Sequence, residues 1–194
     1  LWTMLAHLQG TTLNAAQIAR GLGVDGKTVA RYVDLLVDLL LVRRLPPFHA
    51  NVGKRLVKSP KVYVRDSGVV HALLALNDLG AVLGHPVAGG SWEGFVIENL
   101  TTAAPEQAKA SFYRTAAGAE IDLVLEMPGA KLWAVEVKRG LAPKLDRGFH
   151  QAREDLQPDR CLVVYGGDER YPLAPGVEAI GLRDMMALLE TSHG

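Results

Sequence analysis

The chain has 194 residues, of which 48% are hydrophobic, and a formal net charge of zero from 21 basic and 21 acidic residues. A single cysteine excludes an internal disulfide, and no apolar run approaches the roughly 20 residues that cross a bilayer. We therefore expect a cytoplasmic protein without a membrane segment. Because it begins with Leu1 rather than methionine, we also expect it to be a piece of a longer polypeptide.

The neutral average hides an asymmetry between the two parts of the chain. Residues 1–65 contain ten basic and three acidic residues, whereas the remainder has an equal acidic excess of seven. A basic part that meets a polyanion and an acidic part that binds cations would explain this division. Two parts that neutralise each other would explain it equally well.

Helical periodicity dominates the N-terminal part of the chain. Apolar residues predict a first helix at 1–8, a second that begins after the cap Asn14, and a third that begins after the glycine turn at the cap Asp25. Short strands at 41–45 and 61–65 flank a basic loop. This order is typical of a winged helix-turn-helix domain over 1–65, whose third helix lies in the major groove of DNA.

Side chains in two places of this domain are candidates for DNA contacts. Those on the third helix are Lys27, Thr28 and Arg31, and those in the loop are Lys54, Arg55, Lys58 and Lys61. The alternative is a solvated loop or a contact between domains. Asp34 and Asp38 on the third helix would repel a DNA backbone.

A phosphate-loop pattern, G-x-x-x-x-G-K-[ST], occurs at residues 21–28. A true phosphate loop follows a buried strand, but residues 15–20 have helical composition without a β-branched run. The glycines are explained by the turn between two helices. We therefore expect no nucleotide site in this chain.

The pattern changes after a linking segment at 66–90, which contains a predicted helix at 69–76 and then a boundary rich in glycine and proline. Ser91 is the predicted cap of the next helix. The elements expected from there are a helix to 102, strands at 112–115, 120–126 and 132–138, a helix at 143–156, a strand at 161–165 and a helix at 182–190. Helix, three strands, helix, strand predicts a mixed α/β domain over 91–194.

Two neighbouring predicted strands each project charge from one face. Asp122 lies on the first strand, and Glu136 and Lys138 emerge together from the second. A three-residue turn at Pro128–Ala130 would place Asp122 beside Glu136, whereas a slip of one residue would separate them. Adjacent buried carboxylates favour a cation between them, and Mg²⁺ or Mn²⁺ suits carboxylate oxygens. The alternative is a surface hairpin in which Glu120 or Glu136 simply pairs with Lys138.

A further carboxylate, Glu93, falls within the apolar stripe of the helix at 91–102, whereas Glu98 points outside it. A carboxylate in a buried stripe needs a partner. Glu93 is therefore a candidate for the remaining metal ligand or for a general base.

The set Glu93, Asp122 and Glu136-Val-Lys138 resembles the motif of the PD-(D/E)XK nuclease superfamily. The resemblance implies a restriction-endonuclease-like αβββαβ fold and a metal-dependent phosphodiesterase that acts on DNA. It implies that Asp122, Glu136, the carbonyl of Val137 and Glu93 bind the metal while Lys138 positions the attacking water. Gln151, on the following helix, is similar to a glutamine that some members carry there.

Longer segments resemble the C-terminal region of uncharacterised bacterial and archaeal AAA-type ATP-binding proteins. The matching segments are Thr28-Val-Ala-Arg31-Tyr32, Asn51-Val-Gly-Lys54-Arg55-Leu-Val-Lys58-Ser-Pro60-Lys61, Arg65-Asp66-Ser-Gly68, Tyr113-Arg114 and Gly118-Ala-Glu120-Ile-Asp122. In that family an ATPase module precedes a winged helix and a nuclease-like domain, which implies an upstream ATPase as a partner. The alternative functions are a catalytically silent DNA- or protein-binding regulatory module of the ATPase, and a transcription regulator.

Overall fold

The structure, a computed structural model, describes residues 1–49 and 52–192, so Asn51 of the segment quoted above lies outside the described residues. The chain divides into two compact units. Unit 1 consists of Leu1–Leu45 and Ser59–Phe95, and unit 2 consists of Pro46–Lys58 and the chain from Val96 onward. Both units combine helices with strands, which confirms the expected mixed α and β class. Among the described residues, no helix has the length and apolarity needed to span a membrane.

Unit 1 packs helices against a small antiparallel sheet with the strand order β1-β3-β2. Its elements are α1 (Trp2–His7), β1 (Thr11–Thr12), α2 (Ala15–Leu22), α3 (Gly26–Asp38), β2 (Val42–Leu45), β3 (Lys61–Val64), α4 (Ser67–Leu73) and α5 (Leu79–Gly84). The core is formed by side chains from these helices and strands, including Leu5, Ile18, Val29, Val33, Val62 and Val70.

The two predicted caps of unit 1 are confirmed. Asn14 Oδ1 accepts a hydrogen bond from Gln17 N at 3.0 Å, and Asp25 Oδ1 accepts one from Thr28 N at 2.7 Å. These bonds satisfy amides that have no partner inside the helix. Gly23 ends α2 in the left-handed conformation. The residues before the phosphate-loop pattern therefore form a helix, as predicted, and not a strand.

Helix α6 (Ala88–Ala103) contains the boundary between the two units. It begins earlier than predicted, so the expectation that Ser91 caps it is wrong. Ser91 N donates to Val87 O at 2.7 Å, and the buried Ser91 hydroxyl is hydrogen-bonded to His71 Nε2 at 2.8 Å. With that partner the serine is satisfied inside the first turn and has no capping role.

Unit 2 is built on a six-stranded sheet with the order β4-β5-β6-β7-β9-β8. Its elements are β4 (Lys109–Arg114), β5 (Glu120–Met127), β6 (Lys131–Val137), α7 (Arg147–Leu156), β7 (Arg160–Tyr165), β8 (Tyr171–Ala174), β9 (Val177–Gly181) and α8 (Leu182–Glu190). Strands β4, β5 and β6 are antiparallel, and β6, β7 and β9 are parallel. The succession from α6 to β7 is the predicted helix, three strands, helix and strand, whereas β8 and β9 were not predicted.

The predicted register of the β5–β6 hairpin is confirmed. The turn is Pro128–Ala130, and the pairing runs from Met127 opposite Lys131 to Leu123 opposite Val135. Because side chains alternate along a strand, this register directs Asp122 and Glu136 to the same side of the sheet.

The loop between β2 and β3 belongs to unit 2, although the sequence analysis assigned it to the domain over 1–65. Phe48 N donates to Phe112 O at 2.6 Å, and Val57 N donates to Arg114 O at 2.9 Å, so the loop lies along β4. Leu56 also packs on the core of unit 2. The loop thus satisfies backbone groups of an edge strand that would otherwise be exposed.

Candidate active site

Three of the predicted site residues come together at one end of the sheet in unit 2. Lys138 Nζ donates to Glu136 Oε1 at 2.7 Å, and Val137 N donates to Asp122 Oδ2 at 3.0 Å. The amide bond fixes the Asp122 carboxylate against the strand that carries Glu136. We call Asp122, Glu136 and Lys138 the Glu136 cluster.

Glu136 is the buried acid of this cluster, with only 5% of its surface exposed. Its Oε2 is buried and has no hydrogen-bond partner within the described part of the chain. Burial, followed by the negative charge of Asp122, raises the pKa of Glu136 from 4.5 to about 8, although Lys138 acts in the opposite direction. An added positive charge at Oε2 would relieve both effects.

Lys138 remains an ammonium group in this setting. Burial alone would lower its pKa, but the carboxylates of Glu136, Asp122 and Asp146 outweigh burial and raise it. The side chain keeps 27% of its surface exposed. Lys138 can therefore present its charge to a molecule outside the protein while it is bonded to Glu136.

Asp146 is a member of the site that the sequence analysis missed. It caps α7, accepting a hydrogen bond from Phe149 N at 2.8 Å, and its Oδ2 lies 3.7 Å from Lys138 Nζ. An aspartate followed by a helical stretch is a cap signal. The helix was predicted to begin at residue 143, which places Asp146 inside the helix and not at its cap.

A close contact holds the start of α7 in place. A Cβ atom on Gly148 would lie 2.6 Å from the carbonyl oxygen of Gly118, in the turn between β4 and β5. Only glycine allows this approach, which brings Asp146 toward Lys138. The geometry of the site thus depends on a residue without a functional group.

Glu93 has two hydrogen-bond partners in unit 1. Its Oε1 accepts hydrogen bonds from Lys61 Nζ at 3.0 Å and from Tyr63 Oη at 2.5 Å. Lys61 is only 2% exposed, so the predicted phosphate contact of Lys61 is wrong. Within residues 1–49 and 52–192, no group of three or more His, Cys, Asp or Glu side chains is placed to hold a metal ion. Metal binding by Glu93, Asp122, Glu136 and the carbonyl of Val137 therefore stays a prediction.

Gln151, the remaining residue predicted by resemblance, lies on α7 with an exposed side chain. The buried residues of that helix are Phe149 and Ala152, which pack on the core of unit 2. The structure therefore gives Gln151 no place in the buried part of the site.

Comparison with known proteins places these residues in a family. Residues 1–80 match a domain of unknown function, DUF8612, and residues 88–185 match another domain of unknown function, DUF4143. The chain belongs to the DUF4143 family. The DUF4143 match includes the whole Glu136 cluster and Asp146.

Two curated relatives are uncharacterised mycobacterial proteins. They are the proteins Rv2008c of Mycobacterium tuberculosis and Mb2031c of Mycobacterium bovis, each 43% identical over 180 residues. The similarity covers 92% of this chain but 40% of each relative, so the chain spans less than half the length of those proteins. No solved structure matches the chain.

Outside the DUF4143 segment, α3 presents the predicted DNA contacts. Lys27 and Arg31 are exposed, and the Thr28 hydroxyl is hydrogen-bonded to Asp25 Oδ2 at 3.2 Å. Asp34, which was expected to repel DNA, is paired with Arg44 at 2.6 Å, and the pair weakens that objection. The predicted loop contacts Lys54, Arg55 and Lys58 belong to unit 2, where Lys54 pairs with Asp155 at 2.6 Å.

Proposed function

We propose that this DUF4143 protein is the C-terminal part of an AAA-type ATPase-family protein, and that unit 2 is a metal-dependent phosphodiesterase acting on DNA. The observation that carries the proposal is the buried, unpartnered oxygen of Glu136, held beside Asp122 and Lys138. Folded proteins rarely leave a buried side-chain oxygen without a hydrogen-bond partner. Perturbed carboxylates of this kind are typical of functional sites.

We also propose a winged helix-turn-helix fold for unit 1 and a PD-(D/E)XK fold for unit 2. In unit 1 the succession of α2, the Gly23 turn and α3, followed by the antiparallel pair β2–β3, supports a winged helix-turn-helix. In unit 2 the succession from α6 to β7, with Asp122 on β5 and the Glu136-Val-Lys138 run at the end of β6, supports a PD-(D/E)XK fold. In such folds the acids and the lysine come from adjacent strands.

The two carboxylates of the Glu136 cluster suit Mg²⁺ or Mn²⁺. The ligands would be Asp122, Glu136 and the carbonyl of Val137, all of them oxygen donors, which hard divalent cations prefer. The orphaned Glu136 oxygen offers the cation a site that no hydrogen bond occupies. Glu93 is left out of this assignment because Lys61 and Tyr63 already donate to it. Such a cation supplies a Lewis acid that polarises a phosphoryl oxygen.

The protein's own groups have separate tasks in this proposal. Lys138 uses its partly exposed ammonium group to orient a water molecule and to stabilise the negative charge that develops on the phosphate. Asp122 is held by the Val137 amide, so its carboxylate needs little reorganisation. Burial of Glu136 strengthens each of these electrostatic interactions because the local dielectric constant is low.

The test is cleavage of labelled single-stranded, duplex and branched DNA with Mg²⁺ or Mn²⁺. Glu136→Ala should abolish cleavage and Lys138→Ala should slow it strongly, whereas the control Glu126→Ala, an exposed acid at the far end of β5, should leave it unchanged. Equal cleavage by all four proteins would overturn the assignment of the site. No cleavage by the native chain with either metal would overturn the enzyme itself.

A catalytically silent binding module of the ATPase is the second candidate, and the exposed face of α3 favours it. Tyr32 is 55% exposed and Leu35 is 51% exposed, next to Thr28 and Arg31 in a shallow groove. Exposed apolar residues on a helix suit a protein partner. We assign the groove to the remainder of the longer polypeptide, because the relatives extend well beyond the matched part and DUF4143 often occurs with AAA ATPases.

Binding of the ATPase portion to the exposed face of α3 can be tested by co-expression. Leu35→Asp should release the chain from a co-expressed ATPase portion, whereas the control Leu141→Asp, at an exposed leucine of unit 2, should not. Retention of both variants would contradict it.

A further inference from the structure

The segment at residues 52–58 carries three basic side chains and lies beside β4 in unit 2. Ala116 N donates to Arg55 O at 2.8 Å, Val57 N donates to Arg114 O at 2.9 Å, and Leu56 pairs with Thr115 in antiparallel fashion. We call residues 52–58 the basic segment. It occupies the position of a further strand beyond the edge of the sheet.

The basic segment is fixed to unit 2 by one of its own cations. Lys54 Nζ contacts Asp155 Oδ1 at 2.6 Å, and Asp155 Oδ2 accepts a hydrogen bond from Tyr113 Oη at 2.8 Å. Tyr113 is fully buried. Backbone bonds and this ion pair hold the segment, so the anchoring does not depend on the exposed side chains of Arg55 and Lys58.

The strand register locates the basic segment relative to the Glu136 cluster. It lies against Arg114 and Thr115, where β4 ends. Tyr113 pairs with Ile121 and Leu123 pairs with Val135, so the end of β4, the start of β5 and the end of β6 share one end of the sheet. Three strand spacings of about 4.8 Å separate the basic segment from β6, or about 14 Å.

That separation suits a nucleic-acid strand. At about 3.4 Å per nucleotide, roughly four nucleotides span it. If the reacting phosphate of a nucleic-acid strand lies at Lys138, the neighbouring phosphates of that strand would lie across the end of the sheet. The phosphates about four nucleotides away would then be near the basic segment. Arginine and lysine are the side chains that most often bind such phosphates.

We propose that Arg55 and Lys58 are phosphate-binding residues of unit 2 that hold the nucleic-acid strand leading into the Glu136 cluster. This inference rests on the proposed function. The two residues were predicted to bind DNA as part of the domain over 1–65, whereas here they bind it as part of unit 2, which would carry out the chemistry.

The test compares two double variants that remove equal charge from opposite ends of one sheet. In Arg55→Ala/Lys58→Ala the cations beside the site are lost. In the control Lys109→Ala/Lys131→Ala two exposed lysines are lost from the other end, where they pair with Glu126 and Met127. Binding of a fluorescent single-stranded oligonucleotide is measured by anisotropy in EDTA over a range of KCl concentrations.

Loss of two phosphate contacts should reduce the slope of log K against log salt by about 1.4 for a single strand. We expect this change for Arg55→Ala/Lys58→Ala and the native slope for the control. Equal slopes in the two double variants would overturn the inference. Because binding is measured without metal, this test of the phosphate contacts does not depend on whether the chain cleaves DNA. If the native chain does cleave DNA, the same variant should raise KM and leave kcat unchanged, and an unchanged KM would also count against the inference.

Discussion

Two buried clusters of charge, one in each unit, use similar residues in opposite ways. Glu93 in unit 1 accepts from Lys61 and Tyr63 through a single oxygen, so its charge is compensated by the fold. Glu136 in unit 2 has Lys138 on one oxygen, no partner among the described residues on the other, and Asp122 nearby to repel it. The two clusters differ in charge compensation: Glu93 is stabilised by its partners, whereas Glu136 is compensated only in part, and for that reason the proposed function assigns chemistry to Glu136.

The largest expected effect is that of removing Lys61. Lys61→Met leaves the Glu93 charge without its buried cation, so we expect the free energy of unfolding to fall by about 3–5 kcal/mol. Urea unfolding measures the change. The exposed Lys58→Met is the control and should stay within about 0.5 kcal/mol of the native protein.

A double variant distinguishes lost charge compensation from lost packing. Lys61→Met/Glu93→Gln removes both charges, and it should regain part of the stability that Lys61→Met loses. A double variant as unstable as the sum of the single ones would show that packing, not charge, holds this cluster.

Removal of Lys138 should lower activity, whereas removal of Lys61 should lower stability. Lys138→Met should reduce the cleavage rate by about 10²–10³-fold, since a group that stabilises developing charge is lost. Metal affinity should be unchanged or higher, because the ammonium group competes with a cation for Glu136. Calorimetry with Mg²⁺ checks the second part.

The matched variants for that experiment are Glu136→Gln and Glu126→Gln. The first should lose metal binding and the second, at an exposed acid of β5, should keep it. Weaker metal binding in Lys138→Met than in the native chain would contradict a competition between the ammonium group and the cation.

The raised pKa of Glu136 predicts that the stability of the protein depends on pH. Between 4.5 and about 8 the folded protein keeps a proton on Glu136 that the unfolded chain has released. Raising the pH through this window therefore lowers stability, by at most about 1.4 kcal/mol per pH unit for one proton. Glu136→Gln lacks this titration, so its stability should fall less steeply over the window. Parallel stability curves for the two proteins would refute the shift.

The smallest expected effect concerns Asp155, a carboxylate with partners on both oxygens. Burial, and then Asp155 itself, raise the pKa of Tyr113, so its hydroxyl remains a donor. Tyr113→Phe removes that hydrogen bond and leaves Lys54 on Asp155, so we expect a loss of about 1 kcal/mol in thermal or urea unfolding. No change would show that Lys54 alone satisfies the carboxylate.

Much of the local structure followed from the sequence because its causes are local. Asn14 and Asp25 cap helices through amides three residues away, and α8 has the predicted bounds. The turn at Pro128–Ala130 set the β5–β6 register and thereby the positions of Asp122 and Glu136. Asp146 was missed through a misplaced helix start, and β8 and β9 are short strands whose pairing partners lie elsewhere in the sheet.

The alternation of side chains along β5 and β6 was predictable from the sequence alone. It brings Asp122, Glu136 and Lys138 to one side of a hairpin. Only the tertiary structure decided which charges are compensated. Lys61 and Glu93 are 32 residues apart, and Lys54 and Asp155 are 101 apart, so no spacing rule connects them. Burial and pairing of a charge depend on what the fold places beside it. For that reason the assignment of the loop to unit 2, and of Lys61 to a buried ion pair, appeared only with the structure.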